Sequence, residues 1–301
     1  MYPSVFAAIA QIDDLGDRIL KRAIDVDATS SVDRIVGLSL LRRLITAFVG
    51  IRHLLEASAV QPALILARSQ LEVFLSLRYL VHGGQRRLSL HTPSSLRRRE
   101  SRARHFMAAS IRSGIYRRQA VLDGKEGVGR KLGREIRRAL AAETQSEIGR
   151  LRRHYAAQDR HFGALRCYPT GGAKPRYYDS REWYSFGFRK KQVNSVKALA
   201  TQFGFLKMYF LIYGPLSDLG HARGIRYDVT IGEGQMQIHS PYSPDAFAFV
   251  AYWACTWQML ALACAAKAYC PEGHPDLQRA DQVVQPGLAP IKAVAARTVF
   301  L

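Results

Sequence analysis

Acidic residues are scarce in this 301-residue chain: 24 Asp plus Glu stand against 44 Lys plus Arg, a formal net charge of +20. Such an imbalance points to an anionic partner, nucleic acid ahead of a membrane surface. Cysteine is scarcer still, with Cys167, Cys255, Cys264 and Cys270 and no Cys-x-x-Cys pair or His at zinc spacing. A disulfide scaffold and a structural zinc site are therefore excluded, and the thiols are expected to be reduced, as in a cytoplasmic protein. The histidines are dispersed, no His-x3-His occurs and the carboxylates do not cluster, so neither a metal nor any other cofactor is expected. A phosphate loop is also lacking, because Gly171-Gly172 and Lys174 do not have Gly-x4-Gly-Lys-Ser/Thr spacing. No Gly-x-Ser-x-Gly surrounds Ser69 or Ser217, which argues against a serine hydrolase. The opening Met-Tyr-Pro-Ser-Val-Phe has no basic region followed by an apolar one, so export is not expected. There is no internal repeat.

What is present is helical periodicity. Residues 4–26 place Phe6, Ile9, Ile12, Leu15, Ile19 and Leu20 on one face, and Asp27-Ala-Thr-Ser-Ser offers a turn and an N-cap for a second helix over 30–57. A third helix spans 61–82, entered through Pro62 and ended by Gly83-Gly84, and it is apolar nearly all the way round. That pattern makes it the expected centre of an antiparallel bundle. A basic arm follows over 86–161, with 20 Lys and Arg against 7 Asp and Glu, a net of +13. Residues 162–182 read as loop, helix resumes over 192–202, and 203–221 is again apolar and helical with a kink or restart at Gly214-Pro215. Alternation on either side of Gly232-Glu-Gly234 predicts a small β-hairpin over about 226–239. Residues 246–266 carry no charge and are long enough to span a bilayer, though Thr256, Gln258 and many alanines favour a buried bundle helix. The expected architecture is all-α: one bundle domain over 1–270 with the basic arm, and a 271–301 tail wrapped on its surface, carrying Pro286 and Pro290 and no more than a short helix.

Two helices bear polar stripes. Arg68, Glu72 and Ser76 recur every fourth residue on the 61–82 helix, about 40° apart round its axis. Tyr209, Tyr213, Ser217 and His221 repeat that spacing on the 203–221 segment. Polar groups in a core are costly unless paired, so the stripes are expected to face each other, bringing Arg68, Glu72 and His221 together. The plainer alternatives are an intrahelical ion pair at Arg68–Glu72 and a helix C-cap at His221, after Gly220.

The segments Leu-Ala-Arg68-Ser69-Gln-Leu-Glu72 and Tyr213-Gly-Pro-Leu-Ser217-Asp-Leu-Gly-His221, with Trp183 before a Lys-rich helix, resemble an uncharacterised bacterial family of helical proteins. Its members share an Arg-Ser-x-x-Glu helix and a Tyr-x3-Ser-x3-His helix, and it is similar to the HEPN-like bundles of toxin–antitoxin and phage-defence systems. The resemblance covers about 30–82 and 180–268. It implies a metal-independent RNA-cleaving effector, a homodimer, and a partner protein or RNA that restrains it. HEPN ribonucleases use Arg-x4-6-His, and Arg86 with His91, or Arg98 or Arg99 with His105, fits that spacing. The residue after the Arg does not match the motif, since Arg87, Arg99 and Glu100 stand there. Arg68 and His221 are the better composite: His221 takes the proton from a ribose 2′-hydroxyl, Arg68 stabilises the phosphorane, and Glu72 orients one of them, with Tyr213 and Ser217 alongside. Arg97, Arg98, Arg99, Arg102, Arg104, Arg117, Arg118, Arg137 and Arg138 are the expected nucleic-acid contacts. The rival expectations are a non-catalytic nucleic-acid-binding or scaffold subunit and a membrane-active effector using 246–266.

Overall fold

The structure, a computed structural model, describes residues 2–25, 31–82, 195–213, 229–232, 235–238 and 244–297, with scattered helical positions between 96 and 146. The chain divides into two compact units, Met1–Glu100 with Ser195–Leu301, and Ser101–Asn194. The first is a mainly helical bundle. The second therefore begins later and ends later than the basic arm drawn from composition.

Helix α1 (Pro3–Asp25) buries Val5, Ile9, Ile12, Leu15 and Ile19, the three- and four-residue spacing of one apolar stripe. Helix α2 (Val32–Glu56) starts at Ser31, whose Oγ accepts a hydrogen bond from the Arg34 backbone N–H at 3.3 Å. The connection to α3 (Val60–His82) is so short that Ser58 takes a left-handed φ of 58°. Arg52 ties α1 to α2, reaching Asp13 at 3.0 Å and Glu56 at 2.8 Å.

Helix α4 (Val196–Phe203) is capped by Ser195 and stops at Gly204, whose φ of 78° allows the Phe205 N–H to bond back to the Ala200 carbonyl. Apolar periodicity alone predicts a continuous helix from residue 203. Instead the chain restarts as a single turn, Leu206–Met208, and passes into a π-helix, Tyr209–Tyr213. Phe205 meets Phe74 edge-on at 5.5 Å, and the Arg78 guanidinium lies over both Phe203 and Phe205, at 5.5 and 5.2 Å. These contacts seat the segment on α3.

The hairpin pairs β1 (Val229–Gly232) with β2 (Gln235–Ile238) antiparallel, Val229 opposite Ile238 and Gly232 opposite Gln235. The hairpin falls within the predicted 226–239, with Gly232 paired in the strand where the sequence reading placed it in the turn.

Helix α5 (Pro244–Tyr269), not α3, is the hub, packing on α1, α2, α3 and a final helix, α6 (His274–Arg297). Small residues let four neighbours approach: Ala248, Ala251, Ala254, Ala261 and Ala265 are all buried. The helix is long and apolar enough to cross a membrane by length and composition, and 61% of its apolar stretch is buried inside the protein.

The expectation that 271–301 wraps the surface is corrected by α6, which runs for 24 residues through both prolines. Pro286 and Pro290 are both exposed, so the carbonyls they leave unbonded one turn earlier face water. The opposite face supplies Val284, Leu288 and Ile291 to the core. Gly287 permits the approach to α1, since a Cβ there would lie 2.8 Å from that of Ala8.

Candidate functional site

The two polar stripes meet where α3 passes the π-helix. Arg68 and Glu72, one turn apart on α3, approach to 3.4 Å, and the same Arg68 Nη2 donates to the Tyr213 hydroxyl at 3.1 Å. The guanidinium also lies over the Tyr213 ring, 4.7 Å from its centroid. Tyr213 in turn stacks on Tyr209 at 4.9 Å with an interplanar angle of 19°. The result is a layered cluster of Arg68, Tyr213 and Tyr209, with the Glu72 carboxylate at its edge.

Electrostatics follow from partial burial. Desolvation works to lower the Arg68 pKa, but the Tyr213 hydrogen bond and the Glu72 charge outweigh it, and the net shift is upward. Burial raises the Tyr213 phenol above its ordinary range; the Arg68 hydrogen bond opposes that rise and Glu72 adds to it. Tyr213 is therefore a neutral hydroxyl at physiological pH, available as a donor beside a fixed positive charge. Arg68 Nε is buried and meets no acceptor among the described residues, which leaves unused capacity to hold an anion.

Of the expected catalytic residues, Arg68, Glu72 and Tyr213 are thus together, while Ser217 and His221 lie outside the described residues. So do His91 and His105, along with Arg97, Arg98, Arg117, Arg118, Arg137 and Arg138 of the expected nucleic-acid contacts. Arg102 and Arg104 are helical and half-buried. Arg99 requires a correction. It is 3% exposed, pairs with Asp33 at 2.5 Å, and lies over the Tyr269 ring at 4.8 Å, so it serves the bundle interior and is withheld from a phosphate backbone. Gly37 makes room for this arrangement, because a Cβ there would overlap the Tyr269 hydroxyl and the ring carbon that bears it.

Sequence patterning missed Arg78, held between two phenylalanines, and the buried Gln70, whose Nε2 donates to the Gln258 Oε1 at 3.2 Å and the Ala254 carbonyl at 3.3 Å. It also missed Lys197 and Phe210, which flank the cluster. Nothing in one-dimensional spacing announces a contact between residues far apart in the chain.

Elsewhere, α5 and α6 border an apolar groove of about 330 Å³ lined by Tyr252, Met259, Leu260, Leu277, Asp281 and Leu288. Among the described residues no three His, Cys, Asp or Glu side chains converge as a metal ion requires. Cys255, Cys264 and Cys270 are buried free thiols, and desolvation pushes Cys264 up to about 12.

The fold and site define a helical-bundle protein with an arginine–tyrosine–carboxylate cluster set between a core helix and a π-helix. The chain belongs to the family of unknown function DUF5677, whose model matches residues 34–235 and so includes both polar stripes. No curated protein and no solved structure matches it significantly.

Proposed function

We propose that this protein is a nucleic-acid-directed effector of bacterial defence or toxin type that cleaves RNA without a metal, related to HEPN-like bundles. The observation that carries the reading is the convergence of Arg68, Glu72 and Tyr213 from two elements distant in sequence. In this scheme an RNA phosphate displaces Glu72 from Arg68, and the guanidinium stabilises charge that develops on the phosphorane. Tyr213 donates its hydroxyl to the same centre. His221, eight residues further on, removes the 2′-hydroxyl proton and the 2′-oxygen attacks phosphorus; the P–O5′ bond then breaks, and the departing 5′-oxygen takes the Tyr213 hydroxyl proton. Ser217 lies between Tyr213 and His221 in sequence. The +20 net charge supplies the attraction for the strand. The scheme includes a cytoplasmic location, a homodimer, and a partner protein or RNA that holds the activity in check.

RNA incubated with the protein in EDTA is expected to yield 2′,3′-cyclic ends. Arg68→Ala and His221→Ala, with unchanged circular dichroism, are expected to cut at least ~10²-fold more slowly, the usual contribution of a positioned acid–base or charge-stabilising group. Intact RNA in all cases overturns the assignment. A second reading, a non-catalytic nucleic-acid-binding or scaffold subunit, is favoured by the Arg68–Glu72 contact being an i,i+4 pair of the kind that decorates many helices. It wins if both variants unfold while the wild-type protein binds RNA without cutting it. The burial of α5 among four helices argues against a membrane-active effector.

A further inference from the structure

The cluster at Arg68 does not end at Tyr209. Phe210 meets the Tyr209 ring edge-on at 5.6 Å, and the Lys197 ammonium of α4 sits 4.8 Å over the Phe210 ring. Lys197 is exposed, and Phe210 is 54% exposed, unusual for so large an apolar ring on a segment whose neighbours Tyr209 and Tyr213 are half-buried. Cation, ring, ring, ring, cation therefore follow one another without a gap from Lys197 to Arg68. The three rings are carried by a π-helix, a geometry frequent at functional sites. An exposed phenylalanine leaves apolar surface in water with no gain to the core. It does gain if a flat partner covers it.

We infer that Lys197, Phe210, Tyr209 and Tyr213 form a stacking track for single-stranded nucleic acid, in which an unpaired base lies on Phe210 and an adjoining phosphate contacts Lys197. Charge complementarity selects this occupant: the protein carries +20, and the track runs from the Lys197 ammonium to the Arg68 guanidinium, whose pairing with Glu72 an incoming phosphate replaces. Duplexes are excluded from such a surface because their base faces are already stacked, whereas every unpaired base offers a π-face and binds with little regard to sequence. The inference rests on the nucleic-acid reading above and deepens it, since a strand on Phe210 is led by Tyr209 and Tyr213 toward Arg68. Its test is binding, so it stands or falls apart from cleavage.

Full-length protein is titrated into fluorescein-labelled oligouridine, and into a labelled duplex, by fluorescence anisotropy. Phe210→Ala is expected to weaken oligouridine binding about ten-fold or more, the loss of one base stack, while duplex affinity changes little. Phe210→Trp restores affinity, and its indole emission is quenched on binding beyond any change seen in the wild type. Lys197→Gln lowers the log–log salt slope by about 0.7. Thermal melts of each variant separate misfolding from loss of the contact, and Phe210→Trp decides the case if the alanine variant is unfolded. Unchanged oligouridine affinity in Phe210→Ala, or equal losses on both probes, overturns the track and leaves the ribonuclease reading intact. Phe210-dependent binding without cleavage does the reverse. Loss of binding to vesicles of anionic lipid, with oligouridine binding unaltered, reassigns Phe210 to a membrane surface and overturns the inference.

Discussion

Burying a guanidinium is costly unless its charge is met, and at Arg99 it is met from two sides, by the Asp33 carboxylate and the Tyr269 ring. Desolvation acts to lower the Arg99 pKa, yet Tyr269 and Asp33 leave it raised, and the charge persists in the interior. Asp33 also sits in the first turn of α2, where the helix dipole favours a negative charge. Asp33→Ala removes both effects and strands a buried cation, so urea melts should show a loss of about 3–5 kcal/mol. The combined Asp33→Leu, Arg99→Met variant should recover most of it, because no charge is then left unpaired. Arg99 and Arg68 mark what single residues disclose in a sequence. Arg68 could be read because Glu72 is its local neighbour at one helical turn and the surrounding residues are apolar. Arg99 stood inside a run of arginines, and composition assigned it with them to the surface. Its partners are 66 residues upstream and, through Tyr269, at the far end of α5, which no local pattern reports.

Among the elements, α5 and α3 are joined by a polar pair in an otherwise apolar seam. Gln70 and Gln258 are each fully buried, and each retains one amide atom without a partner. Gln70→Met leaves the Gln258 amide wholly unsatisfied and should cost about 1–3 kcal/mol, whereas Gln258→Met leaves Gln70 its bond to the Ala254 carbonyl and should cost less. Replacing both with similar volume should be close to neutral. A thermal double-mutant cycle measures the coupling, and additive losses would show that the pair does not interact. The three N-terminal helices, and the hairpin, were legible from periodicity, caps and turn residues because each signal is local. Helix α6 was not. Pro286 and Pro290 read as helix breakers, but their spacing of four places both on one solvent-facing edge, where water takes over the freed carbonyls. The start of the π-helix was also hidden, although Gly204 is the ordinary left-handed residue that ends a helix and gave a sign of the break.

At the scale of the whole molecule, charge and apolarity are segregated. The helix with the uncharged stretch 246–266 lies at the centre of the bundle, and the surplus of positive charge falls in residues 86–161, most of which belong to the other compact unit. If that surplus binds phosphate, affinity must fall with salt in proportion to the contacts made. Gln at Arg97, Arg98, Arg102 and Arg104 together should then reduce the log–log slope for single-stranded RNA by about 0.7 for each arginine that touches a phosphate. Arg99→Gln should behave differently: a buried residue contributes no counterion release, so the slope stays at the wild-type value while thermal stability drops. Anisotropy titrations across a range of NaCl concentrations, paired with melts of the same samples, separate the two effects. A fourfold variant with an unaltered slope would take these arginines out of the interface. A reduced slope in Arg99→Gln with unchanged stability would mean that the Asp33 pairing opens when RNA binds, returning Arg99 to the contacts that composition first suggested.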